Sequence, residues 1–115
     1  MNVEKTKAQM RKGVLEYCIL AIIAEKEVYA SDIIFQLKEA ELIVVEGTLY
    51  PLLSRLKNDN LLSYRWEESK SGPPRKYYEI TDLGKTFLQD LDNGWKNLVD
   101  SVNTIVNSNN SENNK

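Results

Sequence analysis

The 115-residue chain has no histidine, one cysteine, three prolines and five glycines, and only 9% of it is aromatic. Without histidine it lacks the commonest general acid–base group and the commonest metal ligand, and one thiol cannot form a clustered zinc site. It carries no Gly-rich phosphate loop, and its carboxylates are scattered, so the common enzyme constellations are missing and no cofactor is expected. Cys18 has no partner for an intrachain disulfide, which agrees with a reducing cytoplasm, and its apolar surroundings read as those of a buried structural thiol. The longest apolar run, Val14 to Ala24, is interrupted by Glu16 and is too short to cross a membrane. No convincing cleavage site follows it, so no signal peptide is expected.

What remains is an ordinary globular composition, 28% charged and 42% hydrophobic, with a formal net charge of −2. The length fits one domain with a small core. An acidic sum argues mildly against nucleic acid, but the distribution runs the other way. Between Thr48 and Lys76 stand Arg55, Lys57, Arg65, Lys70, Arg75 and Lys76, against Asp59, Glu67 and Glu68. A locally positive face is therefore compatible with an acidic whole.

Periodicity predicts a helix from Glu4 to about Glu25, with Lys5, Lys7, Arg11 and Lys12 ahead of an apolar stretch that wraps most of the surface. Its basic start reads either as a solvated face or as an arm near a phosphate backbone or partner subunit. Lys26 to Tyr29 form a connection, and Ser31 is the expected N-cap of a second helix from Asp32 to about Glu41. After the apolar link Leu42 to Val45, Leu49, Leu52, Leu53 and Leu56 follow the i, i+3, i+4, i+7 spacing of one helical face. Thr48, Tyr50, Pro51, Ser54, Arg55 and Asn58 then turn outward, and Thr48 as N-cap would put Pro51 in the first turn.

Leu61 to Glu67 alternates with period two, Ser69 to Pro74 is rich in turn formers, and Arg75 to Ile80 reads as a second strand. The hairpin so formed carries Lys70 on one side of its tip and Arg75 and Lys76 on the other. Three helices followed by such a hairpin make a winged helix-turn-helix, mainly α with a small β-hairpin, in which the third helix can enter a major groove and the wing can reach the adjacent backbone. Hydroxyls of Thr48, Tyr50 and Ser54 suit phosphates or base edges. For Tyr77 and Tyr78 packing is the favoured reading, since one of two adjacent strand residues faces the core.

Thr81 is the expected N-cap of a last helix on which Leu88, Leu91, Trp95, Leu98, Val102 and Ile105 form a heptad seam. A compact small domain has no room for so long a stripe, so dimerisation through it is the economical solution; the alternative is that it folds back over the first helix. The organisation expected is a DNA-binding domain at 1–80, a dimerisation helix at 81–107 and a disordered tail at 108–115. Gly94 beside Trp95 suggests space for a hydrophobic effector between two such helices, with Trp95 as its contact; filling of the dimer core by Trp95 is the alternative.

Three stretches, Val28 to Ile34, Val44 to Lys57 with its Thr48-Leu49-Tyr50-Pro51, and Gly72 to Gly84 with its Arg75-Lys76-Tyr77-Tyr78, closely resemble the PadR-like transcriptional regulators. The resemblance extends from about Lys12 to Trp95 and implies a small homodimeric winged-helix repressor, of the compact branch with one C-terminal helix, acting on a palindromic double-stranded DNA operator. By that resemblance Thr48 and Tyr50 match the recognition-helix positions that meet DNA, Arg55 matches a contact to the backbone, and Lys70, Ser71, Gly72, Arg75 and Lys76 match the wing; Ser31, Pro51 and Ser54 are expected to join the DNA-binding surface. The resemblance also implies a dimer interface including Leu15 and Ile19 of the first helix beside the seam residues. Asn60 stands where the family commonly has glycine, and asparagine tolerates the left-handed backbone needed there. The competing reading is a dimeric protein-interaction module on the same scaffold that does not bind DNA.

Overall fold

The computed structural model of the chain describes residues 2–113. Asn2 caps the first helix, α1 (Val3–Lys12), by accepting the Lys5 N–H at 3.1 Å, and no residue of α1 is buried. The single helix expected from Glu4 to Glu25 is divided. The Val14 N–H turns back to the Arg11 carbonyl at 3.1 Å, and α2 (Leu15–Glu25) begins beyond it. Gly13 marks the break, because glycine loses more backbone freedom in a helix than any other residue.

The stretch read as a plain connection contains a two-residue strand, β1 (Val28–Tyr29), too short for periodicity to register. The second expected helix, α3 (Ala30–Glu39), starts earlier than Asp32: Tyr29 is its N-cap, and the Asp32 carboxylate accepts the Tyr29 N–H at 3.0 Å. Ser31 therefore lies in the first turn and is not the cap. The next helix, α4 (Glu46–Asn58), also begins upstream of its expected cap. Val45 occupies that position, with the Thr48 and Leu49 N–H groups both directed to its carbonyl at 3.0 Å. Pro51 consequently sits inside the helix, where its missing N–H leaves the Gly47 carbonyl without its helical donor.

Both α3 and α4 are followed, one residue past the C-cap, by a residue with φ of 64°, Glu41 and Asn60. After α4, the Asn60 N–H reaches Lys57 O and the Leu61 N–H reaches Leu56 O, each at 3.0 Å, and the same pair of bonds closes α3 through Glu41 and Leu42. This double closure satisfies carbonyls that a helix end otherwise leaves open. Asparagine does at residue 60 what was expected of it. A glutamate in the same conformation at residue 41 was not foreseen.

Strands β2 (Leu62–Ser69) and β3 (Gly72–Ile80) form the hairpin, and β1 joins the far side of β3 to give an antiparallel sheet in the order β1-β3-β2. The turn is confined to Lys70 and Ser71, so most of the expected break is strand. Ser69 pairs with Gly72 and Glu67 with Arg75, which sets Pro73 and Pro74 together against Glu68 alone. That bulge suits two prolines, which have no N–H to give to a ladder.

The core is built from Ile19, Leu20 and Ile23 of α2, Ile33 and Leu37 of α3, Leu49, Leu53 and Leu56 of α4, and Leu62 and Tyr78 of the sheet. The leucine face of α4 is buried as its spacing required. The last helix, α5 (Asp82–Asn113), is capped by Thr81, whose hydroxyl accepts the Gly84 N–H at 2.9 Å. Leu88 and Leu91 pack against the core, and the helix then runs out past it, giving the chain a longest dimension of 64 Å. Residues 108–113, expected to be disordered, continue the helix backbone, and residues 114 and 115 lie outside the described residues.

Candidate nucleic-acid interface

Helical phase decides which side chains α4 offers to a partner. With Leu49, Leu53 and Leu56 inward, Thr48, Tyr50, Pro51, Ser54 and Arg55 are all exposed, Tyr50 at 46%. Ser31 is exposed at the start of α3 beside them. Of these, Tyr50 and Ser54 border the inner side of the hairpin, where Tyr64, Trp66, Lys76 and Tyr78 share one face of the sheet by strand alternation and register, whereas Thr48 lines a separate hollow with Arg11, Lys12 and Val45. Between α4 and the hairpin runs a cleft of about 400 Å³, lined among others by Ser31, Glu46, Tyr50, Trp66, Arg75 and Lys76. A smaller cleft of about 220 Å³ lies between Ser54, Lys57 and Asn58 on one side and Tyr64 and Lys76 on the other.

Two cations of the wing, Lys76 and Arg75, lie against aromatic rings. The Lys76 ammonium stands 4.4 Å from the centre of the Tyr64 ring and 5.4 Å from that of Trp66, and these two rings meet edge to face at 6.1 Å. Arg75, on the other face of β3, lies 5.6 Å from the Tyr29 ring. Such contacts direct a cation without neutralising it. Among the described residues neither Arg75 nor Lys76 makes an ion pair.

Two placements differ from expectation. Arg75 and Lys76 are not at the tip of the wing: the turn carries Lys70 and Ser71, with Gly72 next to it, whereas Arg75 and Lys76 lie further along β3 on opposite faces. Arg55 is exposed, but its guanidinium is paired with Glu16 at 2.7 Å, tying α4 to α2. Tyr77 and Tyr78 divide as strand alternation requires. Tyr78 is buried, and burial pushes its phenol above the usual range; Tyr77 lies on the outer face against Tyr29, ring centres 4.6 Å apart. Trp66, 61% exposed and lining the cleft, was not singled out as a contact from the sequence, although the alternation Leu62, Tyr64, Trp66 already put it on this face.

The second exposed surface is on α5. Trp95, Leu98, Val102 and Ile105 are between 41% and 66% exposed and continue the line begun by the half-buried Leu88 and Leu91. The first turns of the seam thus fold back on the chain's own core, and the later ones do not. Leu15 is half-buried. Ile19 corrects an expectation, for it is 0% exposed within the chain and has no surface to offer a second copy. Where α5 crosses α2, the Tyr17 hydroxyl donates to Asp92, and its ring lies 6.3 Å from that of Trp95. The hydrogen bond to Asp92 raises the Tyr17 phenol above its ordinary value. A side chain added at Gly94 would meet nothing within 4 Å, so no packing inside the chain requires this glycine. Cys18 is only partly buried, and that burial pushes its thiol up.

Among the described residues no helix is long and apolar enough to cross a membrane, and no cluster of three metal-ligating side chains occurs.

Comparison with known proteins gives a consistent result. Residues 19–90 match the profile of the "Transcriptional regulator PadR-like family". The structure resembles a PadR-like transcription factor from Bacteroides fragilis, 62% identical, with a TM-score of 0.75 over 88% of this chain and 98% of the other. It also resembles a PadR-like transcriptional regulator from Bacillus cereus, 40% identical, with a TM-score of 0.75 over 85% of this chain and 96% of that one. A third match is Bacillus subtilis PadR in complex with operator DNA, 28% identical, with a TM-score of 0.64 over 68% of this chain and 46% of that larger one. These relatives are transcriptional regulators and not enzymes. The fold is the winged helix expected from the sequence, and the chain belongs to the PadR-like family of transcriptional regulators.

Proposed function

We propose that the protein is a homodimeric repressor that binds a palindromic operator in its own or a neighbouring promoter. The observation that carries the reading is that the exposed face of α4 meets the wing cations in two clefts sharing Lys76 and Tyr78, Tyr50 with Arg75 and Lys76 in one and Ser54 with Lys76 in the other, and that these cations have no ion-pair partner among the described residues. The Thr48 hydroxyl is exposed on the other flank of α4, beside Arg11 and Lys12. A duplex laid along α4 would set base edges against Thr48 and Tyr50 and backbone phosphates against Ser31, Lys70, Arg75 and Lys76. Ser71 and Gly72 offer backbone at the wing tip, and Pro51 and Ser54 bound the helix surface. Arg55 joins the contact by exchanging Glu16 for a phosphate. The similarity to a regulator solved with operator DNA supports this reading.

Two copies would associate through the exposed part of α5, burying Trp95, Leu98, Val102 and Ile105 beside Leu88, Leu91 and Leu15 of each chain. A hydrophobic or flat aromatic effector would enter between the paired helices at Trp95, where Gly94 leaves space, and relieve repression.

The test is a gel shift on the protein's own upstream region with wild type and with Thr48→Ala, Tyr50→Ala and Arg75→Ala. Weakened retardation in the three variants is the expected result. Unchanged affinity in all three would remove the assignment of α4 and the wing as the DNA face. A dimer that retards no promoter fragment would point to the protein-interaction module instead.

A further inference from the structure

Glu67 and Arg75 stand directly opposite each other across β2 and β3. Opposite charges in that relationship ordinarily pair, yet these two make no ion pair. Glu67 is held instead by Arg65, two residues back on its own strand, at 3.2 Å, and Arg65 also holds Glu27 at 2.8 Å. One guanidinium thus holds both the Glu27 and the Glu67 carboxylates. Its partnership with Arg65 draws the Glu27 carboxyl below the usual range.

The same guanidinium begins a row of contacts with aromatic rings. Arg65 lies 4.7 Å from the centre of the Tyr77 ring, Tyr77 meets Tyr29 at 4.6 Å, and Arg75 lies 5.6 Å from Tyr29. Arg65, Tyr77 and Tyr29 are successive partners across all three strands, so the row spans the sheet and ends beneath Arg75.

We propose that Arg65 is a positioning residue for the wing: by holding Glu67 it leaves Arg75 free for a backbone phosphate. The inference rests on the DNA-binding reading for its consequence, but the capture of Arg75 by Glu67 is a property of the free protein. Without Arg65, the cation nearest to Glu67 along the sheet is Arg75, one strand away. A phosphate must then displace a carboxylate before it can bind.

Two measurements on the full-length protein test this. In the free protein, the side-chain N–H resonance of Arg75 is followed by NMR in wild type, Arg65→Gln and the double variant Arg65→Gln/Glu67→Gln. Arg75 should become ordered in the single variant and revert in the double; an Arg75 signal that does not respond to Arg65→Gln overturns the proposal whether or not DNA is bound. In the second measurement, affinity for a duplex of the upstream region is read by fluorescence anisotropy. Arg65→Gln should weaken binding about fivefold, the scale of one exposed ion pair, and reduce the salt slope by about one, as for one lost phosphate contact. Adding Glu67→Gln should restore both, which a merely structural role for Arg65 would not allow. A loss that Glu67→Gln fails to rescue, or no loss at all, overturns the proposal. Absence of any salt-dependent binding by the wild type, with the NMR response intact, would instead sink the DNA-binding reading alone.

Discussion

The Thr81 hydroxyl donates to the Asn60 carbonyl at 2.7 Å. That bond joins the end of α4 to the start of α5, because the same hydroxyl accepts the Gly84 N–H and the Thr81 N–H reaches Leu61 O at 3.1 Å. The long last helix is tied to the winged domain at this joint as well as through its packing on α2.

Gly84 is the least replaceable residue of the joint. A Cβ there would stand 2.1 Å from the Leu61 carbonyl oxygen and 2.7 Å from Ile80 Cγ1. Gly84→Ala should therefore lower stability by about 1–3 kcal/mol, the usual cost of overpacking, as measured by urea unfolding at fixed protein concentration. Gly94→Ala, on the same helix with open space around it, should hold or raise stability in the same assay.

Glu41 offers a gain. Its φ of 64° is strained for a side chain other than glycine or asparagine. Glu41→Gly should stabilise the fold by about 0.5–1 kcal/mol, the left-handed penalty less the entropy that glycine adds to the unfolded chain. Asn60→Val, which forces a β-branched residue into the same conformation, should do the reverse.

The Tyr17–Asp92 contact predicts a pH effect of definite sign. The folded-state phenol is raised by its hydrogen bond to Asp92, so its protonated form is favoured by folding. The stability it confers is present below the unfolded tyrosine value near pH 10 and is lost as pH rises through the higher folded value. Thermal melts from pH 8 to 11 should show wild type approaching Tyr17→Phe at the alkaline end; a constant difference between them would contradict this.

The exposed stripe of α5 predicts the oligomeric state. Leu98→Asp puts a charge among Trp95, Val102 and Ile105 and should convert a dimer to a monomer in sedimentation equilibrium, while the helical signal of the winged domain persists.

Much of this was legible in the sequence, and the exceptions share a cause. The inward face of α4, the two strands and the Thr81 cap rest on local spacing, and local spacing survives folding. The start of α4 at Glu46, the strand Val28–Tyr29 and the division at Gly13 are decided by partners distant in the chain or by single residues, which periodicity does not sample. The same holds at the candidate site. Tyr50 and Ser54 were placed by helical phase, whereas the Glu16–Arg55 and Glu27–Arg65 pairs join positions 39 and 38 residues apart and exist only in the folded chain. Ile19 was misassigned to an interface because an apolar residue on a helix carries no mark that separates its own core from a partner's.

The central claim is that α4 and the wing grip a DNA duplex through phosphates as well as bases. The most direct test is the affinity for an upstream duplex as salt is raised. The account predicts a linear fall of log affinity with log salt, with a slope of about −0.9 for each phosphate neutralised, made shallower by Arg75→Ala and by Lys76→Ala. Affinity that is independent of salt, or a slope untouched by either substitution, would contradict it.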